Sequence, residues 1–354
     1  MIPAALALAL LAGPAVAQPL PAAQLQAIAS AASAFLAERR IPGLSVAVVV
    51  DRQLRWTAGF GLADAENAVP ASAETMYRLA SVSKPMTATA AMQLVERGRL
   101  DLDAPVRRYV PSFPEKPWPI TSRQLMAHLG GIRHYRANEE FDATRRYVGV
   151  LEGLDVFKED PLDHEPGTAY LYSTYGYCLL GAVVEAASGE RFLDYLREHV
   201  FRPAGMENVR DDDAGALIPH RAQGYWKIAD GELRNSPPAD TSYKIPGGGL
   251  IATAADVARF GSAVAAGTLV KPESRGEMWT KQRTRAGRVL GYGLGWDLGE
   301  WKGRREVSHT GGQERVSTVL YLQPERGLVI AILTNLQGAH PTDLARTIAE
   351  IVAP

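Results

Sequence analysis

Ser81-Val82-Ser83-Lys84 places a hydroxyl and an amine three residues apart. If the stretch opens a helix, both side chains lie on one face, one turn apart. The serine then stands at a helix N-terminus, where backbone N–H groups favour developing negative charge. The lysine either stabilises an alkoxide or, desolvated to a lower pKa, takes the hydroxyl proton itself. The chemistry on offer is attack on a carbonyl carbon. Two fixed positions in four arise by chance on the order of once per chain, so Ser81 and Lys84 need further support.

Two later segments supply it. Tyr172-Ser173-Thr174 is preceded by Glu165-Pro166-Gly167 and followed by Gly176 through Gly181. His309-Thr310-Gly311 lies between Ser308 and Gly312 on a run with strand character. In this order the three motifs resemble the signatures of the serine β-lactamase and penicillin-binding superfamily: Ser-x-x-Lys, Tyr-x-Asn or Ser-x-Asn, and Lys-Thr-Gly or His-Thr-Gly. The resemblance covers nearly the whole chain after residue 17. Leu125-Met126-Ala127-His128-Leu129-Gly130-Gly131-Ile132, Pro246 to Leu250 with Thr253 and Asp256, and Tyr292 to Trp296 also fit. Gly131-Ile132-Arg133-His134-Tyr135 and the Tyr172-Ser173-Thr174 form are similar to the mitochondrial serine β-lactamase-like branch and its bacterial relatives.

The resemblance implies roles. Ser81 is the nucleophile that forms an acyl-enzyme, and Lys84 activates it. Tyr172, as phenolate or through its hydroxyl, carries a proton to the leaving group and activates water. The backbone N–H groups of Ser81 and Gly312 form the oxyanion hole. Thr174, His309, Thr310, Gly311 and Gly312 line the substrate groove, and the strand edge pairs with an extended substrate. Two departures bear on β-lactam hydrolysis. Thr174 stands where most relatives carry asparagine, and a hydroxyl lacks the two donors of an amide. His309 stands where most β-lactamases carry lysine, and an unperturbed imidazole is mostly uncharged at neutral pH.

The elements that must position these groups follow from periodicity. Leu25, Ile28, Ala32, Phe35 and Leu36 mark an amphipathic helix over 20–38. Leu44 to Val50 and Leu54 to Phe60, joined by Asp51-Arg52-Gln53, predict a hairpin whose first strand is buried on both faces. A helix is expected over 81–96, ended by Gly98, with further helices at 177–187, 192–199 and 256–266. Segments 111–120 and 228–247 are proline-rich or polar connections. Strands follow at 306–310, 316–322 and 328–334, with Gly311-Gly312 and Pro324 to Gly327 as turns, and a closing helix at 342–352. The expected fold class is α/β (α+β): a β-lactamase/transpeptidase-like central antiparallel sheet flanked by helices, plus an all-helical subdomain. A single domain over 18–354 is expected, its α/β part at 18–80 and 245–354 and its helical part at 81–244.

Composition narrows the function. Of 354 residues 46% are hydrophobic and the net charge is −1, so a nucleic-acid partner, which needs a basic stripe, is not expected. Residues 1–17 carry an apolar run ending in Ala15-Val16-Ala17, the pattern of a signal peptide cleaved after Ala17. Export to the periplasm or the medium is therefore expected. The run is too short and too proline-broken for stable membrane insertion. Cys178 is the single cysteine, set among apolar residues and expected to pack rather than react. No histidine shows metal-ligand spacing, His128 reads as a loop or cap residue, and no cofactor is expected. Asp211-Asp212-Asp213 reads as a solvated loop. The expected partner is a small molecule or peptide with a carbonyl, and the sequence leaves the oligomeric state open. Three functions remain: a peptidase or esterase working through an acyl-enzyme, a true β-lactamase, and a catalytically silent scaffold that keeps the fold.

Overall fold

The structure, a computed structural model, describes residues 19–136, 140 and 143–353. The expected signal peptide at 1–17 lies outside them. Both ends of the chain build one seven-stranded sheet from β1 (Gly43–Val50), β2 (Gln53–Asp64), β3 (Val69–Pro70), β4 (Asp297–Trp301), β5 (Arg304–Gln313), β6 (Val316–Gln323) and β7 (Leu328–Thr334). Their spatial order is β3-β2-β1-β7-β6-β5-β4, and every pairing is antiparallel. Because β1 pairs with β7, the N-terminal and C-terminal strands meet in the middle of the sheet.

Five helices among the described residues exceed ten residues: α1 (Ala22–Arg39), α2 (Ser83–Glu96), α3 (Thr174–Ser188), α4 (Ala254–Ala266) and α5 (Thr342–Val352). Ile28, Ala32 and Phe35 of α1 and Leu344, Ile348 and Ala349 of α5 bury one stripe each against one face of the sheet. Helix α4 covers the other face, where α2 and α3 pack beyond it into the larger core. With helices on both faces, β1 is buried from Gly43 to Val49, as its unbroken Val46-to-Val50 run predicts. The β1–β2 reversal puts Asp51 and Arg52 both at positive φ, which matches the twist of a two-residue hairpin.

Several local expectations change. Gly311 and Gly312 do not turn the chain: both lie within β5, and the reversal falls at Glu314-Arg315, with Arg315 at φ 79°. Gly311 serves close approach instead, since a Cβ there would collide with the Leu79 carbonyl and the Thr318 hydroxyl. The helix expected from Ser81 begins as a 3₁₀ turn, Ala80–Val82, and becomes α-helical at Ser83. Segment 228–247 contains a strand, Leu233–Asn235, paired with Tyr225–Lys227, and then two helical turns, Ser242–Lys244 and Ile245–Gly248. Asp212 is not solvated: it is buried and paired with Arg78, so this acidic run is partly a core ion pair. No helix among the described residues is long and apolar enough to cross a membrane.

Candidate active site

Ser81 stands where the chain enters α2, next to β5. The preceding Ala80 has φ 49°, a left-handed conformation that costs a residue with a Cβ. It is held there by the Leu79 N–H donating to Leu250 O (2.8 Å), by the Thr318 hydroxyl donating to Leu79 O (2.9 Å), and by the close passage of Gly311. The turn leaves Ser81 half-buried at the surface of the groove while Lys84, one turn on, is fully buried.

Lys84 Nζ has three oxygen neighbours: Ser81 Oγ at 2.9 Å, Thr174 Oγ1 at 3.1 Å and Gly247 O at 2.7 Å. None of them is charged. Burial without a counter-ion pushes the Lys84 amine down to about 7, and the like charge of Lys244 adds to the shift. An ammonium uses all three contacts as a donor. A neutral amine donates two hydrogens to Thr174 and Gly247 and keeps a lone pair for the Ser81 hydroxyl proton. Gly247 must be glycine, because a Cβ there would press 2.7 Å from Thr174 Cγ2 and 2.9 Å from Thr174 O. That role of the Gly247 carbonyl is not legible in the sequence, where Gly247-Gly248-Gly249 reads only as a turn or close packing.

Tyr172 and Thr174 flank Ser173, the N-cap of α3. Ser173 caps the helix, accepting from the Gly176 N–H (2.9 Å) and donating to Arg133 O (2.7 Å). Two histidines hold the same turn: His128 Nδ1 accepts from the Ser173 N–H at 3.0 Å, and His134 Nδ1 from the Thr174 N–H at 3.2 Å. An imidazole that accepts at Nδ1 is neutral. Burial, with Lys84 nearby, holds His128 well below its ordinary value and His134 at about 4. Both hold backbone amides of the Tyr172-Ser173-Thr174 motif through Nδ1. The His128 ring also packs against the Tyr172 ring, 4.1 Å between centroids and tilted by 35°, while Lys84 Nζ lies 4.9 Å from that ring's centre. Burial raises the Tyr172 phenol despite a contact with Ser81 that works the other way. The hydroxyl is therefore protonated across the neutral range, and the phenolate alternative finds no support in its surroundings.

His309, Thr310, Gly311 and Gly312 alternate along β5, with His309 and Gly311 buried and Thr310 and Gly312 exposed. The His309 ring is turned inward: Nδ1–H donates to Thr310 O (2.7 Å) and Nε2 accepts from the Tyr292 hydroxyl (2.9 Å). Burial pushes it down to about 3, so it is neutral and stands beneath the groove rather than on its wall. Space is open where a Gly312 Cβ would project. Strand β4 pairs with β5 only from Arg304 to Ser308, so the β5 edge beyond Ser308 has no strand partner on that side. Among the described residues no cluster of His, Cys, Asp and Glu could hold a metal ion. Cys178 is buried one turn along α3, its thiol raised to about 12 by burial.

A seven-stranded antiparallel sheet covered by helices, with a serine at a strained turn, a buried lysine one turn later and a tyrosine from the loop just before a second helix, defines the class of β-lactamase-like active-site serine proteins. The family model described as Beta-lactamase matches residues 28–353, and the chain belongs to that family, within a superfamily of serine hydrolases. Serine beta-lactamase-like protein LACTB, mitochondrial, from Homo sapiens is 32% identical, the match covering 87% of this chain and 76% of the relative. Two solved structures share the fold at 22% identity. One is EstCE1, a hydrolase with promiscuous acyltransferase activity (TM-score 0.78, 94% of this chain and 98% of the other). The other is D-amino acid amidase from Ochrobactrum anthropi SV3 with L-phenylalanine amide (TM-score 0.81, 94% and 99%).

Proposed function

We propose that the protein cleaves amide or ester bonds through an acyl-enzyme on Ser81 Oγ. The observation that carries this is Lys84 Nζ at 2.9 Å from Ser81 Oγ, fully buried and with only neutral partners. Neutral Lys84 removes the Ser81 hydroxyl proton as Oγ bonds to the substrate carbonyl carbon. The resulting oxyanion is held by the backbone N–H groups of Ser81 and Gly312. As the tetrahedral centre collapses, the bond to the leaving amine or alcohol breaks, and the Tyr172 hydroxyl supplies its proton while Lys84 returns one to Tyr172. Water then repeats the sequence on the acyl-enzyme and releases the acid.

Thr310 and Gly312 line the groove, and the open β5 edge suits an extended substrate. The amidase and hydrolase names of the structural neighbours agree with the amide-or-ester reading. A true β-lactamase is less well supported, because a neutral, inward-facing His309 offers no pull on a substrate carboxylate. The test mixes wild type and Ser81→Ala with a fluorescent penicillin and with p-nitrophenyl butyrate. Labelling or turnover in the wild type alone makes Ser81 the acylated nucleophile. Identical behaviour of the two proteins sinks the proposal and favours a silent scaffold.

A further inference from the structure

Asp297 opens β4 at the point where that strand stops covering β5, paired with Ser308 and bridged to Tyr292. Other buried or half-buried carboxylates among the described residues have a cation or a hydrogen-bond donor: Asp212 has Arg78, Glu314 has Arg78 and Lys244, Glu306 has Arg346 and Asp256 has Arg259, while Asp64, Glu96 and Glu185 accept from the Asn67 amide, the Lys271 N–H and the Phe192 N–H. No ion pair is found for Asp297 among the described residues. Burial alone acts on it and raises its carboxyl to about 6, with no hydrogen bond or charge working the other way. A desolvated carboxylate without compensation is costly, and a fold keeps one where something else supplies the counter-charge.

The surroundings say what that is. Asp297 acts electrostatically on the hydroxyls of Tyr170, Tyr172, Tyr177 and Tyr292. Tyr170 is exposed and its ring lies 6.2 Å, centroid to centroid, from Tyr292 and 5.8 Å from His128. Tyr292 in turn holds His309 beneath the groove. Asp297 itself retains contact with solvent. A carboxylate beside aromatic rings is the chemistry that recognises an ammonium or quaternary ammonium group, through charge and through the ring faces together. An anionic substrate group would be repelled from the same place.

We propose that Asp297 and Tyr170, backed by the buried Tyr292, form a subsite for a cationic amine group on the substrate. Combined with the acyl-enzyme reading above, on which this assignment of the substrate class rests, the favoured substrates are esters or amides carrying a positively charged amine.

Two measurements at pH 7.5 test it with wild type and Asp297→Asn. The first is calorimetric titration with benzylammonium and with benzyl alcohol, which needs no catalysis. Wild type binds the cation at least tenfold more tightly than the alcohol, and Asp297→Asn loses that preference. Equal binding of the two probes, or a preference that survives in the variant, overturns the subsite. The second compares hydrolysis of the p-nitrophenyl esters of 4-(trimethylammonio)butyrate and of its uncharged carbon isostere, 5,5-dimethylhexanoate. The ratio of their kcat/KM values falls at least tenfold in the variant. An equal fall for both esters makes Asp297 structural and refutes the subsite while leaving the hydrolase standing. Turnover of neither ester, with Asp297-dependent binding of benzylammonium intact, refutes the hydrolase and leaves the subsite.

Discussion

Lys84 and Lys244 are both withdrawn completely from solvent, yet only one of them faces a carboxylate. Lys244 Nζ lies 3.6 Å from Glu314 and over the rings of Tyr135 and Tyr243, and Glu314 also faces Arg78, which pairs with Asp212. That chain of alternating charges includes Glu314, where the β5–β6 reversal falls. Lys84 has a serine, a threonine and a carbonyl instead. Burial lowers both amines, but at Lys244 the Glu314 charge opposes the shift. One region balances its buried charge with a carboxylate, and the other leaves its cost uncompensated, so that an amine can give up its proton near neutrality.

The sharpest break in this contrast is Lys84→Met. It lowers kcat/KM for p-nitrophenyl butyrate by about 10³-fold, the scale of a lost general base. It does not lower the melting temperature, because it removes a buried amine. Between about 7 and 10.5 the unfolded chain holds a proton on Lys84 that the folded chain has given up. Native stability therefore rises with pH across that window, and the advantage of Lys84→Met grows as pH falls from 10.5 to 7. A variant that loses activity and also melts earlier contradicts the claim that Lys84 is held at a cost.

The opposite holds for the paired region. Glu314→Gln leaves Lys244 and Arg78 without their shared carboxylate, and urea unfolding should show a loss of roughly 3–5 kcal/mol, the usual cost of breaking a buried pair from one side. Next in size is the pH profile. Below about 7 the Lys84 ammonium has no lone pair, so kcat/KM rises about tenfold per pH unit up to that point and then levels. Because burial raises Tyr172, no fall from its ionisation follows on the alkaline side below pH 10. A profile flat from pH 5 to 8 removes Lys84 from the role of base. Smaller again, Thr174→Val deletes one of the amine's acceptors, leaves Ser81 and Gly247 in place, and should lower kcat about tenfold with KM little changed.

Much of this was legible in the sequence, and the physical reasons divide cleanly. Strands with β-branched runs, such as Val316–Gln323 and Leu328–Thr334, and the closing helix Thr342–Val352 emerge because one pattern decides each of them. Strand Asp297–Trp301 is not legible in the sequence, because Gly299 and Glu300 interrupt any alternation and an edge strand buries little. Gly311-Gly312 reads as a turn in the sequence because glycine has two uses, freedom at positive φ and absence of a Cβ, which composition does not separate. Ser81, Lys84, Tyr172 and Thr174 meet in space as their motifs imply. The inward turn of His309 and the hold of His128 and His134 on the Ser173 and Thr174 amides depend on tertiary hydrogen bonds that no local pattern encodes.

The smallest effect probes whether the two regions communicate. Lys244 is a like charge that helps lower Lys84, after burial itself. Removing it alone would strand Glu314, so the informative variant is Lys244→Met with Glu314→Gln, which takes both charges out together and limits the loss of stability. With the repulsion gone, Lys84 holds its proton to higher pH. The rising limb of kcat/KM then moves upward by a few tenths of a pH unit, a shift worth well under the about 1.4 kcal/mol of a full unit. The plateau above it stays the same, since Ser81, Thr174 and Gly247 are untouched. A limb that does not move shows that burial alone sets the Lys84 amine and that the paired region is purely architectural. A limb that moves downward contradicts the sign of the coupling and, with it, the reading of Lys244 as a like-charged neighbour of the base.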